Sequence, residues 1–221
     1  MERNVKKVYL LALLGLILLI LAACATTGEN PKTKLVTKYD IALTKVVNSS
    51  DVTGRAKSPV ADTTLVNKLR YRYEDNLMRT IWSASEVGFE LTFYNASARN
   101  VAINWEEGLY LDYDNIGHRL LLSSTKDADK DKPQAASTIV PRGNIVETIT
   151  SADHVSMSNV LGVYVRSPLL PTDYASAVRY NGKEMKLILP ISVDGITSNY
   201  EWTFKVIGVR QVAVKTSWLG L

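Results

Sequence analysis

The stretch Val87-Gly-Phe-Glu-Leu-Thr-Phe93 alternates at every step between apolar residues and small or polar residues. Successive side chains of a β-strand point to opposite faces of the sheet, so a period of two residues is typical of a strand with one buried face. The stretch therefore predicts a strand that buries Val87, Phe89, Leu91 and Phe93 and exposes the residues between them.

The same alternation recurs along most of the chain and predicts further short strands. These are Leu69–Glu74, Leu77–Trp82, Val101–Trp105, Leu109–Tyr113, Arg119–Leu122, Ile139–Val140, Asn144–Thr150 and Val163–Val165. The turn-forming cluster Asn95–Asn100 predicts a hairpin between Val87–Phe93 and Val101–Trp105. Asp114–Gly117 predicts a second hairpin between the two runs on either side of it.

Two longer runs, Met185–Val193 and Tyr200–Val206, flank Asp194-Gly195 and predict a C-terminal hairpin. Pro190 lies in the first of these runs. Because proline has no N–H to donate to a neighbouring strand, we expect this strand to be an edge strand or to carry a bulge. Near the other end of the chain, Leu35–Val47 alternates weakly and predicts a first strand.

Polar, charged or proline-containing segments separate these runs and predict loops. The main ones are Asn48–Thr64, Ser123–Ser137 and Ser167–Ala177. Between the last two, Ser151 or Asp153 could cap a short helix where the alternation stops.

About eight to ten short strands, with turns at intervals of roughly 8–12 residues, predict a single all-β domain. We assign it to residues 35–221, of which 35–64 are the least regular. We interpret the domain as an antiparallel immunoglobulin-like β-sandwich. The Cys…Trp…Cys pattern of true immunoglobulin domains is absent, so this likeness is one of architecture only.

The N-terminus has a charged segment, Met1–Lys7, followed by the mostly aliphatic Val8–Leu21. The sequence Leu21-Ala22-Ala23-Cys24 comes next and contains the only cysteine of the chain. It resembles the lipobox of bacterial membrane lipoproteins. The resemblance implies that the Cys24 sulfur carries diacylglycerol and that signal peptidase II recognises Leu21, Ala22 and Ala23 and cuts before Cys24.

On this resemblance, residues 1–23 are a signal peptide and residues 24–34 a lipidated tether to the membrane. The alternative is an uncleaved membrane helix, since the uncharged run Val8–Ala25 has 18 residues, the lower limit for spanning a bilayer. The lipoprotein resemblance also implies, from Ala25 after the cysteine, an outer-membrane location facing the periplasm, or simple membrane anchoring in a host that lacks an outer membrane.

Removing residues 1–23 takes three basic and one acidic residue from totals of 26 and 22, so the mature chain has a charge of +2. This small charge gives no reason to expect a nucleic-acid partner. With Cys24 acylated, no thiol remains for a disulfide, so the fold must be stabilised by packing.

Two acidic stretches partly match a calcium-binding loop. In the first, Asp127–Asp131, the pattern also requires glycine and glutamate where Lys132 and Thr138 stand, so we expect a solvated loop and no metal. In the second, Asp112–Gly117, the flanking runs are strands and favour a hairpin turn.

The chain has two histidines, His118 and His154, and either could serve as a base in a hydrolase. That hypothesis requires a carboxylate and a nucleophile within about 3 Å of the imidazole. No Gly-x-Ser-x-Gly nucleophile motif and no glycine-rich phosphate loop is present in the sequence. We therefore predict no catalytic residues and no cofactor.

Arginine and aromatic residues recur together in one part of the chain. They are Arg70, Tyr71, Arg72, Tyr73, Arg79 and Trp82. On one surface they could bind an anionic envelope polymer; the alternative is that they are ordinary exposed strand residues.

The anchor, the tether and the all-β body together indicate a non-enzymatic envelope protein whose β-sandwich contacts another envelope component. We expect that contact at Ser123–Ser137, at Ser167–Ala177 or at a free strand edge. The alternative is a receptor for a small ligand or glycan, which would need a concave pocket lined by Tyr or Trp.

Overall fold

The computed structural model describes residues 33–50, 57, 60–62 and 69–215. The chain divides into a large compact unit, Val36–Val212, and a small unit formed by residues 1–35 and 213–221. The signal peptide, Cys24 and most of the predicted tether lie outside the described residues. The predicted all-β class is confirmed.

Fourteen strands are described. They are β1 Thr33–Asn48, β2 Val60–Asp62, β3 Arg70–Glu74, β4 Met78–Ser85, β5 Gly88–Asn95, β6 Val101–Ile103, β7 Leu109–Leu111, β8 Gly117–Leu122, β9 Ser137–Ile139, β10 Asn144–Ser151, β11 Val155–Met157, β12 Tyr164–Arg166, β13 Glu184–Val193 and β14 Ile196–Lys215. The described helices are short: the 3₁₀ turns η1 Asp127–Asp129, η2 Ala152–His154 and η3 Val178–Tyr180, and one α-helical turn, α1 Tyr174–Ala177.

The strands form two antiparallel layers. One layer has the order β1-β14-β13-β7, and β6 pairs with both β13 and β9. The other layer has the order β10-β5-β4-β3-β2. Strand β8 belongs to both, because Gly117–Arg119 pair with β7 whereas Leu120–Leu122 pair with β10.

Aromatic rings fill the space between the layers. The ring centroids of Trp82 and Trp202 are 5.2 Å apart, and those of Phe89 and Phe204 are 4.7 Å apart. All four side chains are at most 1% exposed. The layers therefore pack face to face as a sandwich, while an immunoglobulin-like strand order remains a prediction.

The hairpin predicted between Val87–Phe93 and Val101–Trp105 is wrong. Strand β5 pairs with β4 and β10, whereas β6 pairs with β13 and β9 in the other layer. The connection leaves β5 at the buried Asn95, whose side-chain amide donates to the carbonyls of Arg99 and Ile139. The chain thus crosses from one layer to the other here, and the hydrogen bonds of the buried Asn95 amide stabilise the crossing. The turn-forming residues Asn95–Asn100 are compatible with a hairpin and with a crossing, so they did not predict it.

The other two predicted hairpins are confirmed. Strands β7 and β8 pair around Asp112–Gly117, where Asn115 has a positive φ of 60°. Strands β13 and β14 pair without interruption around Asp194 and Gly195, whose φ angles are 50° and 78°. Two consecutive positive φ angles match the right-handed twist of a hairpin.

Pro190 is on neither an edge strand nor a bulge, so that expectation is wrong. Strand β13 has β14 on one side and two partners on the other, β7 opposite Lys186–Ile188 and β6 opposite Ile191–Val193. A residue of an antiparallel strand directs its N–H and C=O to the same side. The Pro190 carbonyl accepts from Asn104 N, just beyond β6, so the side of Pro190 that lacks an N–H faces β6 and β7 and not β14. It lies at the junction where the partner of β13 changes from β7 to β6.

Smaller differences concern the ends of elements. The first strand starts at Thr33, so the last two residues of the predicted tether belong to β1. The predicted loop Asn48–Thr64 contains the short strand β2. The helix cap at Ser151 is confirmed, since its side chain accepts from Asp153 N at the start of η2.

Val87 is 56% exposed, so its predicted burial is wrong, whereas Phe89, Leu91 and Phe93 are at most 1% exposed. The strand begins one residue later, at Gly88, after the tight turn from β4. A Cβ atom added at Gly88 would lie 2.6 Å from the carbonyl oxygen of Ile149 on β10.

We expect Gly88→Ala to lower the free energy of unfolding by about 1–3 kcal/mol, since the clash is with backbone and the strands must separate to relieve it. Urea denaturation measures the effect. Val87→Ala, at the exposed neighbouring position, is the matched control and should stay within about 0.5 kcal/mol of the parent protein. Equal stability of both variants would contradict the close approach of β5 and β10.

Candidate functional site

His118 lies between two carboxylates. Its Nδ1 is 2.7 Å from Asp153 Oδ2 and its Nε2 is 3.2 Å from Asp112 Oδ2. The side chains of His118 and Asp112 are 16% and 14% exposed, whereas that of Asp153 is 64% exposed. We call these three residues the histidine cluster.

Three separate elements bring the cluster together. His118 is on the half of β8 that pairs with β7, directly opposite Tyr110, whose ring centroid is 5.6 Å from the imidazole. Asp112 directly follows β7, and its Oδ1 accepts from the backbone N–H groups of Asp114 and Ile116. Asp153 lies in η2, which follows β10, the other partner of β8.

The two carboxylates determine the charge of the imidazole. Partial burial by itself lowers the pKa of His118, but the hydrogen bonds to Asp153 and Asp112 outweigh it and raise the pKa above its ordinary value. Burial raises the pKa of Asp112, but hydrogen bonds from Ile116, Asp114 and His118 outweigh it and lower the pKa. The two carboxylates thus favour the imidazolium over the neutral ring, relative to a histidine in water.

This arrangement differs from that of a general base. Both ring nitrogens face carboxylate oxygens, so when the ring is an imidazolium both N–H groups donate to them and no lone pair is left for a substrate proton. The nucleophile that the hydrolase hypothesis requires is not among the hydrogen-bond partners of His118 in the described part of the chain. Among those residues, no three His, Cys, Asp or Glu side chains are arranged to hold a metal ion.

A small hairpin leaves the body immediately after the histidine cluster. Strands β11 and β12 form a separate two-stranded sheet, which we call the apolar hairpin and define as Val155–Arg166. Its turn is closed by Ser158, whose N–H donates to the Val163 carbonyl and whose carbonyl accepts from Gly162 N. No charged residue occurs from Val155 to Val165.

The two ends of the apolar hairpin differ in burial. At its base, Val155 is 2% exposed and packs with Leu121 and Ala152. At its tip, Val160 is 92% and Leu161 69% exposed. Two further exposed apolar side chains, Met157 and Val165, lie on the strands, and a third, Val163, directly precedes β12. Exposed apolar residues grouped in this way mark an interaction surface more often than isolated ones do.

Ionic contacts attach the base of the hairpin to the body. The Arg166 guanidinium donates to Asp127 Oδ1 through Nη2 at 2.5 Å and through Nε at 3.0 Å. On the other strand, His118 contacts Asp153, two residues before Val155. The hairpin is therefore fixed at its base by one ionic contact on each side.

The acidic stretch that partly matched a calcium loop has other contacts. Asp127 contacts Arg166, Asp129 lies 2.7 Å from Lys132 Nζ, and Asp131 lies 3.1 Å from Lys130 Nζ. Each carboxylate therefore has its own cation, and the three do not converge on a common point.

The arginine and aromatic residues of β3 and β4 do not share one surface. Trp82 and Tyr73 are 0% and 4% exposed and point into the core, whereas Arg72 and Arg79 are exposed. On the outer face Arg79 instead lies 4.8 Å from the ring centroid of Tyr94. The proposed basic and aromatic strip is thus divided by the alternation of the strands.

Two pockets bear on the alternative of a ligand receptor. The first, of about 130 Å³, is bordered by Trp82, and the second, of about 260 Å³, by Tyr200. Trp82 and Tyr200 are 0% and 2% exposed, so neither pocket presents an aromatic face to a ligand.

Each of the two loops predicted as contact sites is anchored to the body by a few buried residues, while many of its other residues are exposed. In Ser123–Ser137, Gln134 is buried and its side chain bonds to Leu122 N and the Leu120 carbonyl. In Ser167–Ala177, Leu169 and Leu170 are at most 5% exposed. A group of exposed apolar side chains lies on the hairpin between these loops, and the sequence did not predict it as a contact site. Its signal was the uncharged run Val155–Val165 in a chain with 22% charged residues.

No protein-family model, curated protein sequence or solved structure matches this chain. Among the described residues, no helix is both long and apolar enough to cross a membrane.

Proposed function

We propose that this chain is a non-enzymatic, lipid-anchored protein of the bacterial outer membrane whose periplasmic β-sandwich binds another envelope protein through the apolar hairpin. The anchor rests on the resemblance of Leu21–Cys24 to a lipobox. The binding surface rests on one observation, the exposure of Val160 and Leu161 at the tip of a narrow hairpin.

The backbone of the hairpin favours a protein over a lipid surface as the partner. Within the described residues β11 and β12 pair only with each other, so each has an outer edge of N–H and C=O groups. In the hydrocarbon of a bilayer each unpaired group costs several kcal/mol, roughly, whereas a protein can pair with it. An apolar cleft beside a free strand in the partner would satisfy both the side chains and the edge.

The charges around the hairpin also favour a protein partner. Binding to an anionic membrane surface uses unpaired cationic side chains. Arg166 is the one charged residue of the apolar hairpin and pairs with Asp127, and in the loop around Asp127, Lys130 pairs with Asp131 and Lys132 with Asp129. The hairpin itself therefore offers no unpaired cation to anionic lipid.

We expect Leu161→Asp to reduce crosslinking to the partner at least tenfold, because it places a charge in an apolar contact. The measurement is in-cell crosslinking with a photoreactive residue at Ser156, followed by mass spectrometry of the adducts. Val146→Asp is the matched control, since Val146 is 70% exposed on β10, away from the hairpin.

Equal loss of adducts in both variants, or no loss in either, would contradict the assignment of the hairpin. Adducts to lipid instead of protein would show that the surface is a membrane contact. Circular dichroism of the two variants should be the same as that of the parent, because both positions are exposed.

A further inference from the structure

The histidine cluster and the apolar hairpin are adjacent in the chain and in space. Asp153 is in η2, and η2 continues directly into β11. The carbonyl of His154, in the same turn, accepts from Ser167 N just after β12, which closes the base of the hairpin. Whatever holds η2 in place therefore holds both strands of the hairpin.

We propose that His118 is a pH-operated latch for the apolar hairpin: while the doubly protonated imidazole bridges Asp112 and Asp153 the hairpin is held against the body, and loss of one proton frees its base. The inference concerns regulation of the surface in the proposed function, but the latch itself can be tested without a partner.

The geometry explains why one proton decides the outcome. An imidazolium donates from both ring nitrogens, to Asp153 at 2.7 Å and to Asp112 at 3.2 Å. A neutral imidazole has one N–H and one lone pair. One carboxylate then faces a lone pair and is repelled. Asp112 is held by the two backbone N–H groups that donate to its Oδ1, and its side chain is 14% exposed. The more exposed Asp153 is therefore the carboxylate that moves away from His118.

The direction of the pH effect follows from the surroundings of His118. The groups that face it are Asp112 from the β7–β8 turn, Asp153 and His154 from η2, and Tyr110 from β7. Burial raises the pKa of Tyr110, so its hydroxyl stays neutral. The raised pKa of His118 means that the latch is fully formed below about pH 6.5 and is lost as the pH rises through the folded-state value.

The other contacts of the hairpin are too few to hold it alone. Its buried cluster consists of Leu121, Ala152 and Val155 with the partly buried Tyr164. An isolated two-stranded hairpin is marginally stable in water. Release of Asp153 leaves the salt bridge between Arg166 and Asp127 as the remaining ionic contact described at the base.

Hydrogen exchange on the full-length protein tests the latch. We expect protection factors at Ser158 N and Ser167 N, corrected for the intrinsic rate, to fall about tenfold between pH 6 and pH 9, which corresponds to about 1.4 kcal/mol. His118→Phe should have low protection at both pH values. His154→Gln, which changes the other histidine, should behave like the parent.

Asp112→Asn distinguishes a latch from a general structural effect. The amide would keep Oδ1 for the backbone N–H groups of the turn and donate from Nδ2 to the lone pair of a neutral imidazole. The hairpin should then stay protected up to pH 9. Because this variant is expected to gain protection at high pH, an unfolded variant cannot mimic it.

Three results would overturn the latch: parent protection independent of pH, a pH response that disappears in His154→Gln, or Asp112→Asn losing protection like His118→Phe. Crosslinking at pH 6 and pH 9 then separates the two proposals. Exchange that depends on pH with no hairpin adducts would reject the proposed function and keep the latch. Hairpin adducts together with exchange that is independent of pH would reject the latch and keep the proposed function.

Discussion

Replacing Trp202 by alanine is expected to lower the free energy of unfolding by about 3–5 kcal/mol, the loss usual for a fully buried aromatic side chain. Trp202 is 0% exposed and contacts rings from both layers: Trp82, 5.2 Å away on β4, and Tyr200, 5.6 Å away on its own strand. Its indole N–H has no hydrogen-bond partner in the structure described. The loss therefore measures packing of the ring against its own layer and the opposite one, with no hydrogen bond lost.

A domain of this size is stabilised by about 5–15 kcal/mol, so the alanine variant should unfold at a much lower urea concentration or fail to fold. Trp202→Phe gives a measurable intermediate case because it keeps part of the ring contact. Val146→Ala, at an exposed position, is the control. A urea midpoint for Trp202→Ala that matches the control would show that the layers do not pack as described.

Cys24→Ser is expected to leave an unprocessed precursor without acyl chains. The proposed anchor depends on one sulfur, because the acyl chains are attached through residue 24. Each buried CH₂ of an acyl chain contributes about 0.8 kcal/mol, so two or three chains hold the protein firmly on the membrane. Without the sulfur this contribution is lost. The precursor should keep residues 1–23, including the apolar segment Val8–Leu21, and should carry no diacylglycerol on residue 24. Mass spectrometry of the N-terminal peptide reads both changes.

Ala25→Ser is the matched control, because it changes the neighbouring residue and leaves the sulfur in place. It should be processed and acylated like the parent chain. A Cys24→Ser chain that is still cut after residue 23 and still partitions into detergent would disprove the lipoprotein assignment.

Alternation along the sequence predicts which side of a strand is buried but not which strand lies beside it. Phe89, Leu91 and Phe93 are buried as their spacing predicts, because the faces of a strand depend on local geometry. The partner of β5 was mispredicted because the link to β6 crosses between layers. Pairing depends on contacts distant in the chain, and no local pattern contains them.

Pro190 illustrates the same limit. Its missing N–H predicts an interruption of pairing, but the expectation drawn from it, an edge strand or a bulge, is wrong. The interruption is a change of partner from β7 to β6, however, and the strand is central. A proline in the sequence shows that one backbone N–H is missing. It does not show whether that side of the strand is a free edge or a junction between two short partner strands.

The candidate site could be predicted only in part. Both histidines were candidates, and the Asp112–Gly117 hairpin was foreseen, but His118 and Asp153 are 35 residues apart and meet only because β8 pairs with β10. Of the apolar hairpin, the sequence predicted a strand at Val163–Val165, close to β12, but not β11, and each of these two strands has three residues. Such strands are too short for a period to stand out.

The pairing of β1 with β14 has a consequence for biogenesis. Asp40 and Arg210, which form a salt bridge between these two strands, are 170 residues apart. The ribosome synthesises β1 long before β14, so β1 lacks its pairing partner for most of translation. The nascent chain should therefore require protection of β1 until synthesis ends. Truncations from the C-terminus that remove β14 should leave free, aggregation-prone edges on β1 and β13.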